Sequence, residues 1–435
     1  MRYCGKITDS GIKFLTNCYS LDLRRCYELE GNTLGFLDKC REIDLSYCSS
    51  LKSVNLQYLE KCDKVCIYPI NLNNKDLQYL SNCIDVFVGY GAVKNDGFQY
   101  LSKCKSVSIV DSDKNISGDI QHLINCQNIN LSGCSKLCDN NIINFGNCRT
   151  LNLADCNFIT DESVQLFGNC HSLNISNCIN ITDNSVKYLG TCYSLNLSGC
   201  DKITDNSVKL LKNCHTLKLS DCEEITDESV QYLGNCYELE LCRCIKITDK
   251  SVQHLGKCTI LNLTSCTEIT DKSILCLDKC HILTLYNCKK ITDESVQLLR
   301  KCYILDLSYC KKISDESIQY LGNCHTLKLS GCKKMTSMSL KYLNNCYYLD
   351  LSFTNITDKN LEYLKNCHTI EISRCANITD MGIEHLSNCS VIHLRGTRIT
   401  ETGIKHLINC NEIIAPNRIS AECEQYLKSY NVDVF

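Results

Sequence analysis

The sequence lacks several features that would assign a function directly. None of its apolar runs approaches the roughly 20 residues that a membrane-spanning helix needs. Its 46 Lys and Arg and its 49 Asp and Glu residues are mixed along the chain, so no basic block marks a nucleic-acid or membrane partner. No apolar run follows a basic start, so no signal peptide is predicted. We therefore expect a soluble cytoplasmic protein in a reducing compartment, with no nucleic acid and no membrane among its partners.

Cysteine, in contrast, is abundant and regularly placed. Of the 38 cysteines, nineteen form one column from Cys18 to Cys410, and the spacing is 22 residues throughout Cys126 to Cys346. Fourteen more, opened by Cys4, form a second column eight residues after the first. Self-similarity at a short period is typical of a solenoid. Without a secretory route, we expect these thiols to stay reduced and to be buried as small apolar groups.

One copy of the repeat shows how each unit is expected to fold. The alternation in Leu217-Lys218-Leu219 predicts a short strand with one buried face. Thr226 can cap a following helix, and Asp227 would lie in its first turn near the positive end of the helix dipole. About eight residues then remain before the next cysteine, which predicts a helix of about two turns. Stacked units would form a parallel sheet on the inside and short helices on the outside.

The repeated pattern L-x-L-x-x-C-x-x-I-T-D resembles the leucine-rich repeats of the cysteine-containing subtype. That subtype is best known from F-box proteins, in which the repeats form a horseshoe that holds the substrate of a ubiquitin ligase. The resemblance implies an α/β leucine-rich-repeat solenoid (horseshoe) with a parallel inner sheet and short outer helices, and a binding role. The unit here is shorter than the family's, and no F-box segment is visible before the repeats, so the ligase connection is not carried over.

We expect residues 1–435 to form a single solenoid of about 19 repeats. Residues 62–118 would be degenerate repeats, and residues 411–435 a C-terminal cap with a helix near 419–427 and a last strand at 432–434. Four units are one residue shorter than the rest. Each of them replaces the second cysteine, with Ile70, Gly91, Thr354 and Thr397.

We count the first cysteine of each repeat as position one. The third, fifth, seventh and eighth positions are then predicted to face solvent from the strands. Between Cys126 and Cys214 these positions are mostly small and polar, and we interpret one set as a structural amide ladder: Asn130, Asn152, Asn174 and Asn196. After Cys236 they carry aromatic side chains among charges, as an interaction hot spot requires. The partner-binding candidates are Glu238, Glu240, Tyr286, Asp306, Tyr309, Tyr348 and Asp350. Stabilisation of the sheet by such side chains is the competing interpretation.

Catalytic and metal sites are not predicted. The position after the first cysteine alternates between His and Tyr over much of the chain, but alternate strands lie roughly 10 Å apart, too far for two imidazoles to share a zinc ion. No phosphate-binding glycine loop and no distinct Cys–His pair with a third orienting group is present. We predict a protein–protein interaction scaffold that uses its concave face, with no enzymatic activity, metal or cofactor. Two alternatives stay open: a substrate-recognition subunit of a cullin-type ubiquitin ligase, and a structural repeat protein without a specific partner.

Overall fold

The computed structural model describes residues 7–68, 72, 74–89, 95–110, 120–416 and 419–435. The chain divides between Lys218 and Leu219 into two compact units. Each unit is a stack of repeats, with one layer of parallel strands and one layer of short helices. Every repeat begins with a strand whose central side chain is buried, and a turn then leads the chain to its helix.

In the first unit the strands are β1 Ser20–Asp22, β2 Glu42–Asp44, β3 Lys64–Ile67, β4 Asp85–Gly89, β5 Ser106–Val110, β6 Asn128–Asn130, β7 Thr150–Asn152, β8 Ser172–Asn174, β9 Ser194–Asn196 and β10 Thr216–Lys218. The α-helices are α1 Asp9–Ile12, α2 Asp139–Ile142, α3 Asp161–Val164, α4 Asp183–Val186 and α5 Asp205–Val208. Short 3₁₀ helices cover Leu34–Phe36, Ser53–Leu59, Asn74–Leu80, Asn95–Leu101, Ile120–Leu123, Ile143–Asn147, Phe167–Asn169 and Lys209–Leu211.

In the second unit the strands are β11 Glu238–Glu240, β12 Ile260–Asn262, β13 Ile282–Thr284, β14 Ile304–Asp306, β15 Thr326–Lys328, β16 Tyr348–Asp350, β17 Thr369–Glu371, β18 Val391–His393, β19 Glu412–Ile414 and β20 Asp433–Val434. The α-helices are α6 Asp227–Val230, α7 Asp249–Val252, α8 Asp271–Ile274, α9 Asp293–Val296, α10 Asp315–Ile318, α11 Asp380–Ile383, α12 Glu401–Ile404 and α13 Ala421–Lys428. The 3₁₀ helices cover Gln297–Leu299, Ser337–Tyr342, Leu361–Leu364 and Glu384–Leu386.

Within each unit, successive strands pair in parallel and in register, as Ile282 does with Ile304. The strand and helix predicted near the C-terminus are confirmed by β20 and α13. The predicted helix length of two turns is wrong for most repeats, because α3 to α10 contain only four residues each. After one α-turn the chain tightens to i→i+3 hydrogen bonds, such as His254 N–H to the Ser251 carbonyl, and it then returns to the next strand.

The stretch 62–118, predicted to be degenerate, departs from this plan where it is described. Strands β4 and β5 are five residues long, and the helical segments Asn74–Leu80 and Asn95–Leu101 are 3₁₀ rather than α. Residues 69–71, 73, 90–94 and 111–118 of that stretch, which include Ile70 and Gly91, lie outside the described residues, as does Cys4.

Among the described residues, the cysteines of both columns are buried, apart from the half-buried Cys18, and all 37 cysteines there are free thiols. In the second column, the cysteine Sγ donates to a backbone carbonyl of the preceding repeat, at the second leucine of the Leu-x-Leu pattern. Cys310, for example, donates to the Leu285 carbonyl at 3.2 Å. Burial raises the pKa of these thiols, to about 12 for Cys310. The expectation that these thiols are buried is confirmed. In a repeat without the thiol, the Thr354 hydroxyl is also buried and donates to its own Leu351 carbonyl at 2.6 Å.

The Thr-Asp-x-Ser segment joins adjacent repeats through a row of aspartates. Thr248 caps α7 as predicted, by accepting a hydrogen bond from the Lys250 N–H. Asp249 has a second role: its carboxylate accepts hydrogen bonds from the N–H and hydroxyl of Thr270 at 2.8 and 2.7 Å and from the Ser273 hydroxyl at 2.5 Å, all in the next repeat. We call this row the aspartate ladder. Its members, each of which accepts a hydrogen bond from a Thr or Ser hydroxyl in the next repeat, include Asp139, Asp161, Asp183, Asp227, Asp249, Asp271, Asp293, Asp315, Asp358 and Asp380.

Candidate functional site

The strands present their third and fifth repeat positions on the face of the sheet away from the helices. Both positions were predicted to face solvent and are half-buried in most strands, while the residue between them is buried. The seventh position was predicted to be exposed, but Ser308 and Ser352 are only 3% and 5% exposed there. Their N–H groups bond to Asp306 and Asp350, which folds the turn against the strand end. Tyr286, at the same position of another repeat, has 37% of its surface exposed.

The two units differ at the third position. Strands β8 to β10 carry small polar residues there, Ser172, Ser194 and Thr216, whereas β12 to β14 carry Ile260, Ile282 and Ile304. The same structural position therefore changes from hydroxyl to aliphatic side chains. An aliphatic column on a half-exposed sheet face is the more unusual of the two, because it keeps apolar surface next to water.

The fifth position carries a run of charges across four neighbouring strands. In register order these are Asp306, Lys328, Asp350 and Glu371. The Tyr348 hydroxyl donates a short hydrogen bond to Glu371 Oε1, and His393 Nδ1 lies 3.5 Å from the same oxygen. Burial, reinforced by this hydrogen bond, raises the pKa of Tyr348 well above its usual value. We call Asp306, Asp350 and Glu371 the carboxylate group.

Aromatic side chains lie beside the carboxylate group, at the turns that follow the strands. The rings of Tyr286 and Tyr309 are 5.2 Å apart, and those of Tyr309 and Phe353 are 6.3 Å apart. The Arg374 guanidinium lies 5.2 Å from the centre of the Phe353 ring. Between Tyr309 and Phe353 stands Gly331, whose missing side chain leaves room for the Tyr309 ring. We call Tyr286, Tyr309, Phe353 and Arg374 the aromatic cluster.

At the eighth position, in the turn after the strand, the backbone of many repeats is left-handed, with a positive φ. Gly199, Asn177 and Asp155 occupy it in the first unit, with φ of 72°, 59° and 62°. Glycine adopts this conformation freely and Asn or Asp tolerates it, whereas bulky side chains rarely do. Yet Tyr309 and Phe353 hold φ of 60° and 59° at the equivalent positions, and Arg374 holds 58°.

Five of the seven predicted site residues lie close together, namely Tyr286, Asp306, Tyr309, Tyr348 and Asp350. Glu238 and Glu240 lie on β11, three strands from Asp306 and so roughly 14 Å away. The prediction did not include Glu371 and Arg374, although they occupy the same fifth and eighth positions as the residues it selected. Aligning the repeats by column would have identified both.

The amide ladder predicted for the first unit is instead a set of local turns. The side-chain oxygens of Asn130, Asn152, Asn174 and Asn196 accept from the N–H two residues later, at 3.0–3.1 Å. A side-chain oxygen that accepts this bond closes an Asx turn. Asp306 and Asp350 make the same bond in the second unit. In these repeats the fifth residue, whether Asn or Asp, supplies the oxygen that accepts the hydrogen bond of the turn.

The alternating His and Tyr side chains at the second position form stacks of rings. In the second unit His281, Tyr303, His325, Tyr347 and His368 stack in sequence, with neighbouring centroids 4.3–5.0 Å apart and nearly parallel planes. Stacking accounts for the alternation that the sequence shows. Within the described ranges, no group of three or more His, Cys, Asp or Glu side chains is placed to hold a metal ion. No helix in the described part of the chain has both the length and the apolar character that crossing a membrane requires.

Comparison with known proteins supports the fold. A family model described as a leucine-rich repeat matches residues 149–168. TLR13, solved in a complex with ssRNA13, is 15% identical with a TM-score of 0.54, and the match covers 98% of this chain and 83% of that one. A leucine-rich-repeat protein of Leptospira interrogans is 17% identical (TM-score 0.47; 88% and 98% covered), and an internalin of Listeria monocytogenes is 16% identical (TM-score 0.39; 80% and 90% covered).

No curated protein sequence matches the chain significantly. Repeat folds of this kind typically provide extended binding surfaces for proteins, and they are generally not enzymes. The sequence pattern, the parallel strands with short helices and the structural matches agree with one another. The chain therefore has a leucine-rich-repeat fold, and its repeats carry two columns of cysteines.

Proposed function

We propose that the chain is an interaction scaffold that binds a protein partner through the aromatic cluster and the adjoining carboxylate group. The observation that carries the proposal is the left-handed backbone at Tyr309, Phe353 and Arg374. Holding a non-glycine residue in this conformation costs about 1–2 kcal/mol. Glycine stands at the same position in other repeats of the chain, so the fold itself does not require these bulky side chains. Costly residues of this sort concentrate at functional sites.

Sheet stabilisation explains the aromatic cluster less well. Cross-strand pairs stabilise a sheet when both side chains project from paired strand residues. Tyr309 and Phe353 each follow the last residue of their strand by three positions, so they lie in the turns. The cluster also combines rings with a guanidinium group, and Tyr and Arg are the residue types that dominate binding energy at protein interfaces.

A nucleic-acid partner is less well supported than a protein. TLR13 was solved with a single-stranded RNA, but at 15% identity the likeness concerns the fold alone. The carboxylate group would repel phosphates, whereas binding to nucleic acid relies on Lys and Arg contacts with the phosphate backbone. A catalytic role is not part of the proposal.

The test compares capture by the wild-type chain, the double variant Tyr309→Asn/Phe353→Asn and the control Asn287→Gly from an extract of the native host cell. Asn287 occupies the same left-handed position with φ of 60°, so its replacement changes this position without removing a ring. We expect one or more proteins, identified by mass spectrometry, to be retained by the wild type and the control and lost by the double variant. We expect the double variant to unfold at equal or higher urea concentration, since Asn tolerates this backbone better.

The outcomes separate the candidate functions. Cullin-ligase subunits that remain bound to the double variant, while another protein is lost, would make the chain a substrate-recognition subunit. Partners without ligase subunits would leave it a plain interaction scaffold. Equal capture by all three proteins would refute the proposed surface, and no specific capture by any of them would favour a structural repeat protein.

A further inference from the structure

Two members of the carboxylate group, Asp306 and Asp350, form no ion pair among the described residues. Lys328 stands between Asp306 and Asp350 in the sheet register, yet its ammonium group lies 5.9 Å from the centre of the Tyr348 ring. No ion pair links Lys328 to either aspartate in the described part of the chain. Asp306 accepts the Ser308 N–H at 2.8 Å, which closes its own turn.

The pKa of Asp350 also reflects the like charges that surround it. Burial raises its pKa, the hydrogen bonds from Ser352 oppose the shift, and the nearby charges of Glu371 and Asp306 add to it. A raised pKa means that the folded chain disfavours a negative charge at this site. A cation supplied from outside would reverse that preference, because it would compensate the like charges that face one another here.

We propose that the partner places a basic side chain, best an arginine, between the carboxylate group and the aromatic cluster. This inference rests on the function proposed above. An arginine guanidinium can pair with a carboxylate through two hydrogen bonds and can stack on an aromatic face. Asp306 and the Tyr286–Tyr309 pair offer both kinds of contact side by side. Burial raises the pKa of Tyr286, and the nearby charges of Tyr309 and Asp306 raise it further.

The third-position side chains beside this site indicate a second feature of the partner. Ile282 and Ile304 stand half-buried on the strands that lead to Tyr286 and Tyr309. An apolar side chain next to the arginine would cover these two residues and remove their surface from water. The occupant is therefore a protein segment in which a basic residue neighbours an apolar one.

The experiment selects peptides from a phage-displayed random library on the immobilised full-length chain. The enriched peptides are synthesised, and their affinity is measured by fluorescence anisotropy for the wild type, Asp306→Asn, Tyr309→Asn and the control Asp201→Asn. Asp201 is an exposed carboxylate in the first unit, so its variant loses the same charge elsewhere. We expect the enriched peptides to contain Arg beside an apolar residue. We expect binding to weaken about tenfold or more with Asp306→Asn and to stay unchanged with Asp201→Asn.

Failure of this inference can be distinguished from failure of the proposed function. Peptides that Tyr309→Asn no longer binds, but that carry no Arg or Lys, would overturn the basic partner and leave the surface in place. Peptides that bind Tyr309→Asn as well as the wild type would overturn the surface itself. Enrichment of no sequence would overturn the inference of a linear basic segment. Binding of single-stranded polyuridylate that Tyr309→Asn abolishes would overturn it in favour of RNA.

Discussion

Replacing Asp249 by Ala tests whether the aspartate ladder joins adjacent repeats. The carboxylate accepts three hydrogen bonds from the next repeat, two from Thr270 and one from Ser273. Each hydrogen bond to a charged group contributes roughly 1.5–3 kcal/mol, and bonds at one site do not add fully. Water can also reach the half-buried site in the variant. We therefore expect Asp249→Ala to destabilise this junction by about 3 kcal/mol, and Asp249→Asn, which keeps one acceptor oxygen, by about 1 kcal/mol.

Amide hydrogen exchange at Thr270 measures the loss of stability at the junction that Asp249 holds. A solenoid can open locally, so a single global unfolding midpoint would average over many repeats. The Thr270 N–H loses its acceptor in Asp249→Ala, and about 3 kcal/mol corresponds to roughly a hundredfold faster exchange. The Thr379 N–H, bonded to Asp358 at 2.8 Å in the same unit, serves as the reference amide within the molecule.

The effect should also depend on pH. Burial raises the pKa of Asp249, but the hydrogen bonds from Ser273 and Thr270 outweigh burial and lower the pKa below its usual value of 3.8. A carboxylate with a lowered pKa contributes stability above its unfolded pKa and loses it as the pH falls through the folded pKa. The wild type and Asp249→Asn should therefore differ fully above about pH 5 and converge below pH 4.

The exposed Glu223 supplies the matched control for a lost negative charge. Glu223→Ala should leave Thr270 exchange unchanged, because it removes a charge of the same sign without removing a bond between repeats. Unchanged exchange in Asp249→Ala, or equal acceleration in Glu223→Ala, would refute the role of the ladder.

Two further predictions concern the thiols and one glycine. At about pH 8, we expect a thiol reagent to label the native chain chiefly at its half-buried cysteines and the urea-unfolded chain at all of them, because the reagent cannot reach the buried thiols of the folded chain and burial raises the pKa of many of them, to about 12 for Cys156. The half-buried cysteines are Cys18, Cys66, Cys138, Cys242 and Cys276; extensive native labelling of the others would contradict this. Gly331→Ala should cost about 1–2 kcal/mol in urea unfolding, since Gly331 has φ of 71° and an added Cβ would lie 2.9 Å from the Tyr309 ring. Gly11→Ala, with no atom within 4 Å of the added Cβ, should cost less than about 0.5 kcal/mol, and equal costs for the two variants would refute the argument.

The sequence predicted those features of the fold that depend on neighbouring residues. The Leu-x-Leu alternation predicted the strands, and the threonine before each helix predicted its cap, because both depend on contacts within a few residues. The role of Asp249 could not be obtained in this way, since its partners lie 21 and 24 residues further along the chain. Helix length was also missed. It depends on how the layer of helices packs against the strands, which local propensity does not specify.

The candidate surface was predicted only from residue types, and the structure adds an energetic criterion. The eighth position adopts a left-handed backbone in repeat after repeat, so the chain supplies its own reference for what that position tolerates. Glycine, Asn and Asp satisfy the backbone there, and a bulky residue must be retained for another reason. Residue type alone identified Tyr309 as an anchor, but it could not show that the ring is held at a cost in stability.

The same criterion identifies a second group, in the first unit, that residue types did not single out. Arg25 and Tyr47 hold φ of 62° and 63° at the eighth position of their repeats. The Arg25 guanidinium lies 5.4 Å from the centre of the Tyr47 ring, which packs edge-on against Tyr68. This pairing of a guanidinium with an aromatic ring repeats the arrangement of Arg374 and Phe353. If left-handed strain marks binding residues, Tyr47 belongs in the same capture experiment as Tyr309. If Tyr47→Asn changes no capture, a left-handed backbone is by itself an insufficient marker of a binding residue.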